Sequence, residues 1–244
     1  MPDMPGLLLF SSFPSGHPQG RQRGFFAPDS RSRRLADALV DLIFPPRCAG
    51  CGRVDWGWCA RCQADLEQTP YPQYVQPLPP LSGMASTAVH EGKVQQAIWS
   101  LKYENARHIS QPLGDRLAAH LELLDWPVSC IVPVPMHVER LAQRGYNQAQ
   151  LLAEQAARLA TLPCRPDALR RWRFTPSQVG LGREARLENV KDAFEASPAL
   201  ADGQIVLLVD DVYTTGATLS ACAAALLDAG AAAVYGLTVS AARH

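Results

Sequence analysis

The segment Ile205–Thr218 reads I-V-L-L-V-D-D-V-Y-T-T-G-A-T and constrains the fold more than any other part of the chain. It opens with five apolar residues in a row, which is typical of a strand buried on both faces in a parallel sheet covered by helices. After the loop, Leu219, Cys222 and Leu226 recur at helical spacing. The segment therefore predicts an α/β protein built on a strand–loop–helix unit.

Two carboxylates, Asp210 and Asp211, follow the apolar run directly. The helix after them begins with about four unpaired backbone N–H groups and the positive end of its dipole, which suits a phosphate. The carboxylates can accept hydrogen bonds from sugar hydroxyls or hold a divalent cation. The alternative is that the acids cap a turn and a threonine caps the helix. The loop residues concerned are Thr214, Thr215, Gly216 and Thr218.

The motif V-L-L-V-D-D-V-Y-T-T-G-A-T resembles the phosphoribosyl diphosphate (PRPP) loop of type I phosphoribosyltransferases. It lacks the Gly-Lys-Ser/Thr of a Walker loop and the G-x-G-x-x-G of a dinucleotide site. The resemblance implies that Asp210 and Asp211 are the catalytic pair, which holds the ribose hydroxyls and, with the diphosphate, Mg²⁺. It also implies a 5-phosphate site at the PRPP loop residues Thr214, Thr215, Gly216, Ala217 and Thr218.

The composition excludes some classes of protein. The 244 residues include 23 Lys+Arg and 23 Asp+Glu, so bulk charge gives no reason to expect a nucleic-acid or membrane surface. No apolar run approaches the roughly 18–20 residues of a membrane span. The N-terminal apolar run is too short, and has the wrong flanks, for a signal peptide. We expect a cytoplasmic protein without membrane insertion, whose thiols stay reduced.

Three regions follow from local composition. Residues 1–34 are rich in Pro, Gly, Ser and Arg without periodicity, which predicts a disordered tail. Residues 35–79 combine a short amphipathic helix, a cysteine-rich module and a proline-rich connector. Residues 80–244 form the predicted phosphoribosyltransferase-like domain, a parallel sheet flanked by helices.

Two C-x-x-C pairs, Cys48 with Cys51 and Cys59 with Cys62, are separated by seven residues. Two such turns can close a tetrahedral four-thiolate site, and a reducing compartment favours metal over disulfides. Zn²⁺ is the favoured ion, with iron or a redox pair as alternatives. Because all four positions are filled by protein, the metal is predicted to be structural.

A second strand–loop–helix unit starts at I-V-P-V-P, residues 131–135, and continues into an arginine-rich loop. Arg144 in this loop is suited to bidentate contacts with a diphosphate. Loops at the carboxyl ends of parallel strands converge on one crevice, so the loop should face the acidic pair. Lys102, at the end of an earlier helix, either faces a phosphate or is a solvated helix end; we count it with the PRPP-binding residues.

Residues 165–191 contain many arginines, interrupted by T-P-S-Q, and suit a flap that closes over a diphosphate. The alternative is a solvated, charged surface. Trp172 and Phe174 lie among these arginines, and such a mixture suits stacked bases and a phosphate backbone. Trp56 and Trp58 in the cysteine region either stack on bases in the same way or help to pack a small core.

The order of the motifs is specific. A four-cysteine knuckle, I-V-P-V-P, R-G-Y-N-Q-A, R-R-W-R-F-T-P-S-Q, R-x-x-N-V and L-V-D-D-V-Y-T-T-G-A-T together resemble the ComF (GntX-like) family of competence proteins, over roughly residues 35–242. The resemblance implies a cytoplasmic zinc-binding segment fused to a type I phosphoribosyltransferase domain. It also implies a role in natural transformation, handling incoming single-stranded DNA together with DNA-uptake and recombination proteins.

Two functional hypotheses follow. The first is a transferase of the glycosyltransferase class that uses PRPP and Mg²⁺, although no motif identifies the acceptor. The second is a non-catalytic module that binds single-stranded DNA or a DNA-processing partner and reuses the PRPP fold as a phosphate or regulatory site.

Overall fold

The structure, a computed structural model, describes residues 47–54, 57–72, 77–173 and 192–243. These residues lie within one compact unit, Pro45–His244. The predicted tail 1–34 and the helix predicted before the first cysteine lie outside the described residues, and the predicted boundary between residues 79 and 80 stays a prediction.

Helices and strands alternate along most of the described chain. In chain order they are α1 (Ala60–Gln68), β1 (Gly83–Val89), α2 (Gly92–Tyr103), α3 (Ser110–Leu124), β2 (Cys130–Pro133), α4 (Val138–Arg144), α5 (Gln148–Ala160), β3 (Leu169–Arg171), β4 (Phe194–Ala196), α6 (Pro198–Ala201), β5 (Ile205–Tyr213), α7 (Ala217–Asp228) and β6 (Ala233–Ala241). Short 3₁₀ turns occupy Arg107–Ile109 and Pro166–Ala168.

Four of the strands form one sheet in the order β1-β6-β5-β2, and all neighbours run parallel. Strands β3 and β4 pair separately as an antiparallel ribbon. The α/β architecture predicted from the sequence, a parallel sheet flanked by helices with a small four-cysteine module, is confirmed. Among the described helices, none has the length and apolar character needed to cross a bilayer.

Strand β5 is buried on both faces, as its uninterrupted apolar run predicts. Leu207 lies in a core cluster with Leu117 of α3, and Leu208 lies in the opposite cluster with Leu226 of α7. Burying one such leucine contributes about 1.5–3 kcal/mol. The packing therefore holds β5 at the centre and brings its carboxyl end to the same edge as those of its neighbours.

The cysteine module is fastened to this sheet by α1. Arg116 of α3 is buried and donates hydrogen bonds to Leu66 O (2.6 Å), at the end of α1, and to Thr87 O (2.8 Å) of β1. Lys93, in the first turn of α2, forms an ion pair with Asp65 of α1. The module therefore contacts both the strand and the helix that begin the larger α/β layer.

Candidate functional site

The acidic pair lies within strand β5, near its end at the carboxyl edge of the sheet. Asp211 is buried, and its backbone N–H donates to Asp210 Oδ1 at 2.8 Å. Burial, and then the adjacent charge of Asp211, raise the pKa of Asp210 to about 7. The pair can therefore bind cations or hydroxyl groups, and Asp210 changes its charge near neutral pH.

Lys102 reaches this pair from the last turn of α2. Its Nζ lies 2.8 Å from Asp211 Oδ2, and its side chain is only 22% exposed. Burial alone would lower the pKa of Lys102, but the Asp211 carboxylate raises it, so the ammonium stays charged. Of the two interpretations from sequence, the solvated helix end does not describe this lysine. Whether it binds PRPP stays a prediction.

The hydroxyl loop turns sharply at Gly216. This glycine has φ +78°, and a Cβ there would lie 2.6 Å from Tyr213 Oη. Both facts require glycine at the position. As the N-cap of α7, Gly216 has no side chain to accept from the first-turn N–H groups, so these are not capped by their own cap residue. Thr214 and Thr218 line the cleft described below.

The remaining residues of the PRPP-type loop connect those two threonines. Gly216 and Ala217 are buried, and Thr215 is half-buried. None of the three lines the cleft. Their predicted contact with a 5-phosphate would use backbone N–H groups, and it stays a prediction.

The predicted arginine-rich loop is partly a helix, α4, and the prediction of a loop was wrong there. V-E-R-L-A-Q-R lacks a long apolar period, but its ends are well specified. His137 Nδ1 accepts from Glu139 N at 3.3 Å, and Gly145 ends the helix with φ +80°. Arg144 lies in the last turn, where it donates to Gln148 Oε1 and lies 5.7 Å from the Tyr103 ring centre.

The R-G-Y-N motif also has structural roles that the sequence reading missed. Asn147 Oδ1 accepts from Ala149 N at 3.1 Å and caps α5, while its Nδ2 donates to Val134 O at 3.0 Å. Tyr146 is buried and donates to Leu101 O. These bonds hold the arginine segment against the ends of β2 and α2.

These elements surround one cleft of about 420 Å³ at the carboxyl edge of the sheet. The acidic pair, Lys102 and Arg144 lie in it together, although they come from three separate elements, β5, α2 and α4. The cleft lining comprises His90, Lys102, Tyr103, Val134, Pro135, Met136, Arg140, Arg144, Asn147, Gln148, Arg171, Asp210, Asp211, Val212, Thr214 and Thr218.

Two lining residues were missed or undervalued at the sequence level. His90 follows β1 directly and shares a 2.8 Å hydrogen bond with Ser240 Oγ. Burial, and then the charge of Lys102, lower the pKa of His90, so its ring is neutral at pH 7. Its position after a strand end was the available signal. Arg171 ends β3, which lies within the predicted flap 165–191. The flap residues 174–191, including Phe174, lie outside the described residues.

The four cysteines form a separate cluster at the other end of α2. Their sulfur atoms all lie within 4.8 Å of one another. Cys51 Sγ and Cys59 Sγ are 3.8 Å apart, which matches the edge of a tetrahedron with Zn–S bonds of about 2.3 Å. No disulfide joins them. The prediction that these four residues lie together is confirmed, and the donor set fits Zn²⁺. Residues Cys48, Cys51, Cys59 and Cys62 would hold it.

Backbone geometry prepares the cluster for a cation. A hydrogen bond from the backbone N–H of Cys62, together with hydrogen bonds from the neighbouring cysteine side chains, lowers the pKa of Cys59 to about 6. Cys59 N also donates to Cys48 Sγ at 3.3 Å. Thiolates are the form that binds metal, so part of the ligand set is charged at neutral pH.

The chain is similar in sequence to proteins whose names refer to competence or to the utilization of DNA. The chain is 32% identical over 186 residues to competence protein F of Haemophilus influenzae, covering 72% of this chain and 76% of that protein. It is 30% identical over 198 residues to the DNA utilization protein YhgH of Escherichia coli K12, covering 77% and 85%. Competence protein ComFC of Bacillus subtilis is 38% identical over 110 residues, covering 42% and 40%. No family model matches the chain.

Solved structures give a more distant similarity. Glutamine PRPP amidotransferase from B. subtilis, complexed with ADP and GMP, aligns with a TM-score of 0.37 and 20% identity. The alignment covers 54% of this chain and 26% of that one.

Proposed function

This chain belongs to the ComF family of competence and DNA utilization proteins. We propose that its cleft binds PRPP with Mg²⁺, and that the protein acts in the handling of single-stranded DNA during transformation. One observation carries the proposal. Acidic, hydroxyl and arginine side chains from β5, α7 and α4 line a single cleft of about 420 Å³. Such a set matches a ligand with a sugar diol between two anionic groups.

The roles follow from chemistry. The loop from Thr214 to Thr218 would hold the 5-phosphate with hydroxyls and first-turn N–H groups. Asp210 and Asp211 would accept from the ribose hydroxyls and, with the diphosphate, hold Mg²⁺. Arg144 and Lys102 would contact the diphosphate.

If transfer occurs, the protein contributes mainly position and charge. The sugar would become cationic as the diphosphate leaves, and the buried carboxylates beside it would stabilise that charge. The arginine and lysine would stabilise the departing anion. His90 is neutral, so it can accept or donate a hydrogen bond in the same cleft without adding charge. The four-cysteine Zn²⁺ site would supply structure, since protein fills its coordination shell.

Ligand-dependent melting tests the binding proposal. A ligand at about 100 times its Kd stabilises the folded state by about 2.7 kcal/mol, which raises Tm by about 5–10 °C for a chain of this size. We expect this shift with PRPP plus Mg²⁺, and a much smaller one in Asp210→Asn/Asp211→Asn. Ribose 5-phosphate and inorganic diphosphate, added separately, are controls. If millimolar PRPP with Mg²⁺ leaves Tm unchanged, the proposal is wrong.

A screen for diphosphate release tests whether chemistry occurs. Candidate bases, amines and single-stranded DNA would each be incubated with PRPP, Mg²⁺ and either wild type or the double variant. Release that depends on both the acceptor and the two carboxylates would identify the reaction as a transfer. Binding without release for every acceptor would favour the non-catalytic alternative.

A second candidate, direct binding of single-stranded DNA, rests on exposed aromatic residues beside the cleft. Trp99 and Tyr103 lie one turn apart on α2, with ring centres 5.7 Å from each other, and both are exposed. The Arg144 guanidinium lies 5.7 Å from the Tyr103 ring centre. Exposed aromatics next to arginine suit stacked bases with a nearby phosphate backbone.

The tryptophans identified from the sequence as candidates for base stacking have different environments in the structure. Trp172 is exposed, as an aromatic residue that stacks on bases would have to be. Trp58 is half-buried, and its indole N–H donates to Gln63 Oε1 at 2.8 Å, which favours the packing role. Trp56 lies outside the described residues.

Fluorescence anisotropy with labelled oligothymidine tests this candidate at low and moderate salt. Base stacking is worth about 1–3 kcal/mol per base, so Trp99→Ala/Tyr103→Ala should weaken binding by at least about fivefold. An abasic oligomer of equal charge should bind wild type as weakly as oligothymidine binds the variant. No binding to either oligomer at low salt would reject this candidate.

A further inference from the structure

The ion pair of Lys102 with Asp211 differs from the other ion pairs in the described ranges. Its side chains are 22% and 5% exposed, whereas both members of each other pair there are at least 39% exposed. A buried pair gains little stability, because desolvation offsets the attraction between the charges. The position of this pair inside the cleft suggests that it acts on what the cleft binds.

The cleft already contains cations opposite both carboxylates. Lys102 contacts Asp211 directly, and the charges of Lys102 and Arg171 both favour ionised Asp210. Arg140 and Arg144 line the same cleft. A free divalent cation approaching Asp211 would meet a tethered ammonium at 2.8 Å from the oxygen that it needs. Two cations that share one buried carboxylate oxygen lie close enough to repel each other.

The side chain of Lys102 also has space to move away from Asp211. Besides the main cleft, it lines two adjoining cavities of about 470 and 560 Å³, each of which Tyr103 also borders. A lysine side chain has a flexible four-carbon stem, so its ammonium can move several ångströms while the helix stays in place. An anion in the cleft would attract the ammonium away from Asp211.

We propose that Lys102 is a tethered counter-ion that keeps the acidic pair closed to free divalent cations and opens it only to a metal that arrives with an anionic ligand. This inference rests on the proposed function, since the anionic ligand there is a sugar diphosphate. It makes Lys102 a specificity-determining residue. The cleft should select a metal–diphosphate complex over the metal alone or an uncharged sugar.

Binding of Mn²⁺ alone, followed by loss of the aqueous Mn²⁺ signal in electron paramagnetic resonance, tests the inference. Wild type and Lys102→Arg, which keeps the charge, should bind Mn²⁺ weakly. Lys102→Gln should bind it at least about tenfold more tightly. Lys93→Gln is the matched control, because Lys93 lies on the same helix and forms an ion pair with Asp65 instead. Adding Asp211→Asn to Lys102→Gln should abolish the gain.

The outcomes separate the inference from the proposed function. If Lys102→Gln binds Mn²⁺ no better than wild type, or if the gain survives Asp211→Asn, the counter-ion role is wrong. If Lys102→Gln gains Mn²⁺ binding while PRPP fails to stabilise wild type, the role stands and the proposed ligand is wrong. Lys102→Met, which keeps the apolar stem, replaces Lys102→Gln should the latter not fold.

Discussion

Replacing Gly216 by alanine should weaken the protein through two separable effects. The residue has φ +78°, and a left-handed conformation costs a non-glycine residue roughly 1–2 kcal/mol. The new Cβ would also lie 2.6 Å from Tyr213 Oη and 2.9 Å from two ring carbons. Because Tyr213 is buried, relieving this overlap costs about 1–3 kcal/mol more. We expect a loss of about 3 kcal/mol in the free energy of unfolding, or about 6–12 °C in Tm.

The chain offers a matched control for the backbone effect. Gly203 has φ +67°, and a Cβ there meets nothing within 4 Å. Gly203→Ala should therefore lose only about 1 kcal/mol. Urea unfolding of both variants measures the difference, which is the cost of the overlap. Gly216→Ala/Tyr213→Ala should show less than the sum of its two single losses, because the overlap is absent.

Equal losses in the two glycine variants would refute the overlap argument. The same series probes the cleft. If the turn at Gly216 shapes a phosphate site, Gly216→Ala should lose the Tm shift with PRPP and Mg²⁺, while Gly203→Ala should keep it.

Three further outcomes are expected. The Asp210→Asn variant should become more stable relative to wild type as pH rises from about 4 to about 7. The difference should then level off, because the pKa of Asp210 is raised in the folded state and wild type therefore loses stability across that window. Urea unfolding at several pH values measures the difference, and parallel plots of stability against pH for the two proteins would contradict the prediction. Arg116→Met should lose about 2–4 kcal/mol of unfolding free energy and release Zn²⁺ to a chelator faster, because Thr87 O loses the Arg116 donor and Leu66 O keeps only the Thr69 N–H. Unchanged release would argue against a role of Arg116 in holding the cysteine module. Cys62→Ser should raise amide hydrogen exchange in α1 while the sheet stays protected, since metal binding stabilises small modules; a zinc content equal to that of wild type would reject the four-cysteine assignment.

The parts of the fold that could be predicted are those that depend on residues close together in the sequence. Strand β5 was readable because five consecutive apolar residues are typical of a strand covered on both faces, and Leu207 and Leu208 do lie in opposite core clusters. The cysteine cluster was readable because C-x-x-C spacing determines where two sulfurs can point. In both cases the information lies within a few neighbouring residues.

What could not be predicted depends on contacts between distant parts of the chain. Lys102 and Asp211 meet only because α2 and β5 end at the same edge of the sheet, and nothing near either residue indicates the ion pair. Arg116 was unreadable for the same reason, since its partners are carbonyl groups of remote segments. Helix α4 was missed because its ends, and not an apolar period, specify it.

Helix α2 joins the two candidate centres of this protein. Its first turn is tied to the cysteine module through Lys93, and its last turn places Lys102 in the cleft. A helix of 12 residues is a stiff rod of about 18 Å, so a displacement at one end is transmitted to the other. If the cysteines hold Zn²⁺ and the cleft binds a sugar phosphate, as proposed, then oxidising the thiols or removing the metal should displace Lys102 and weaken binding in the cleft.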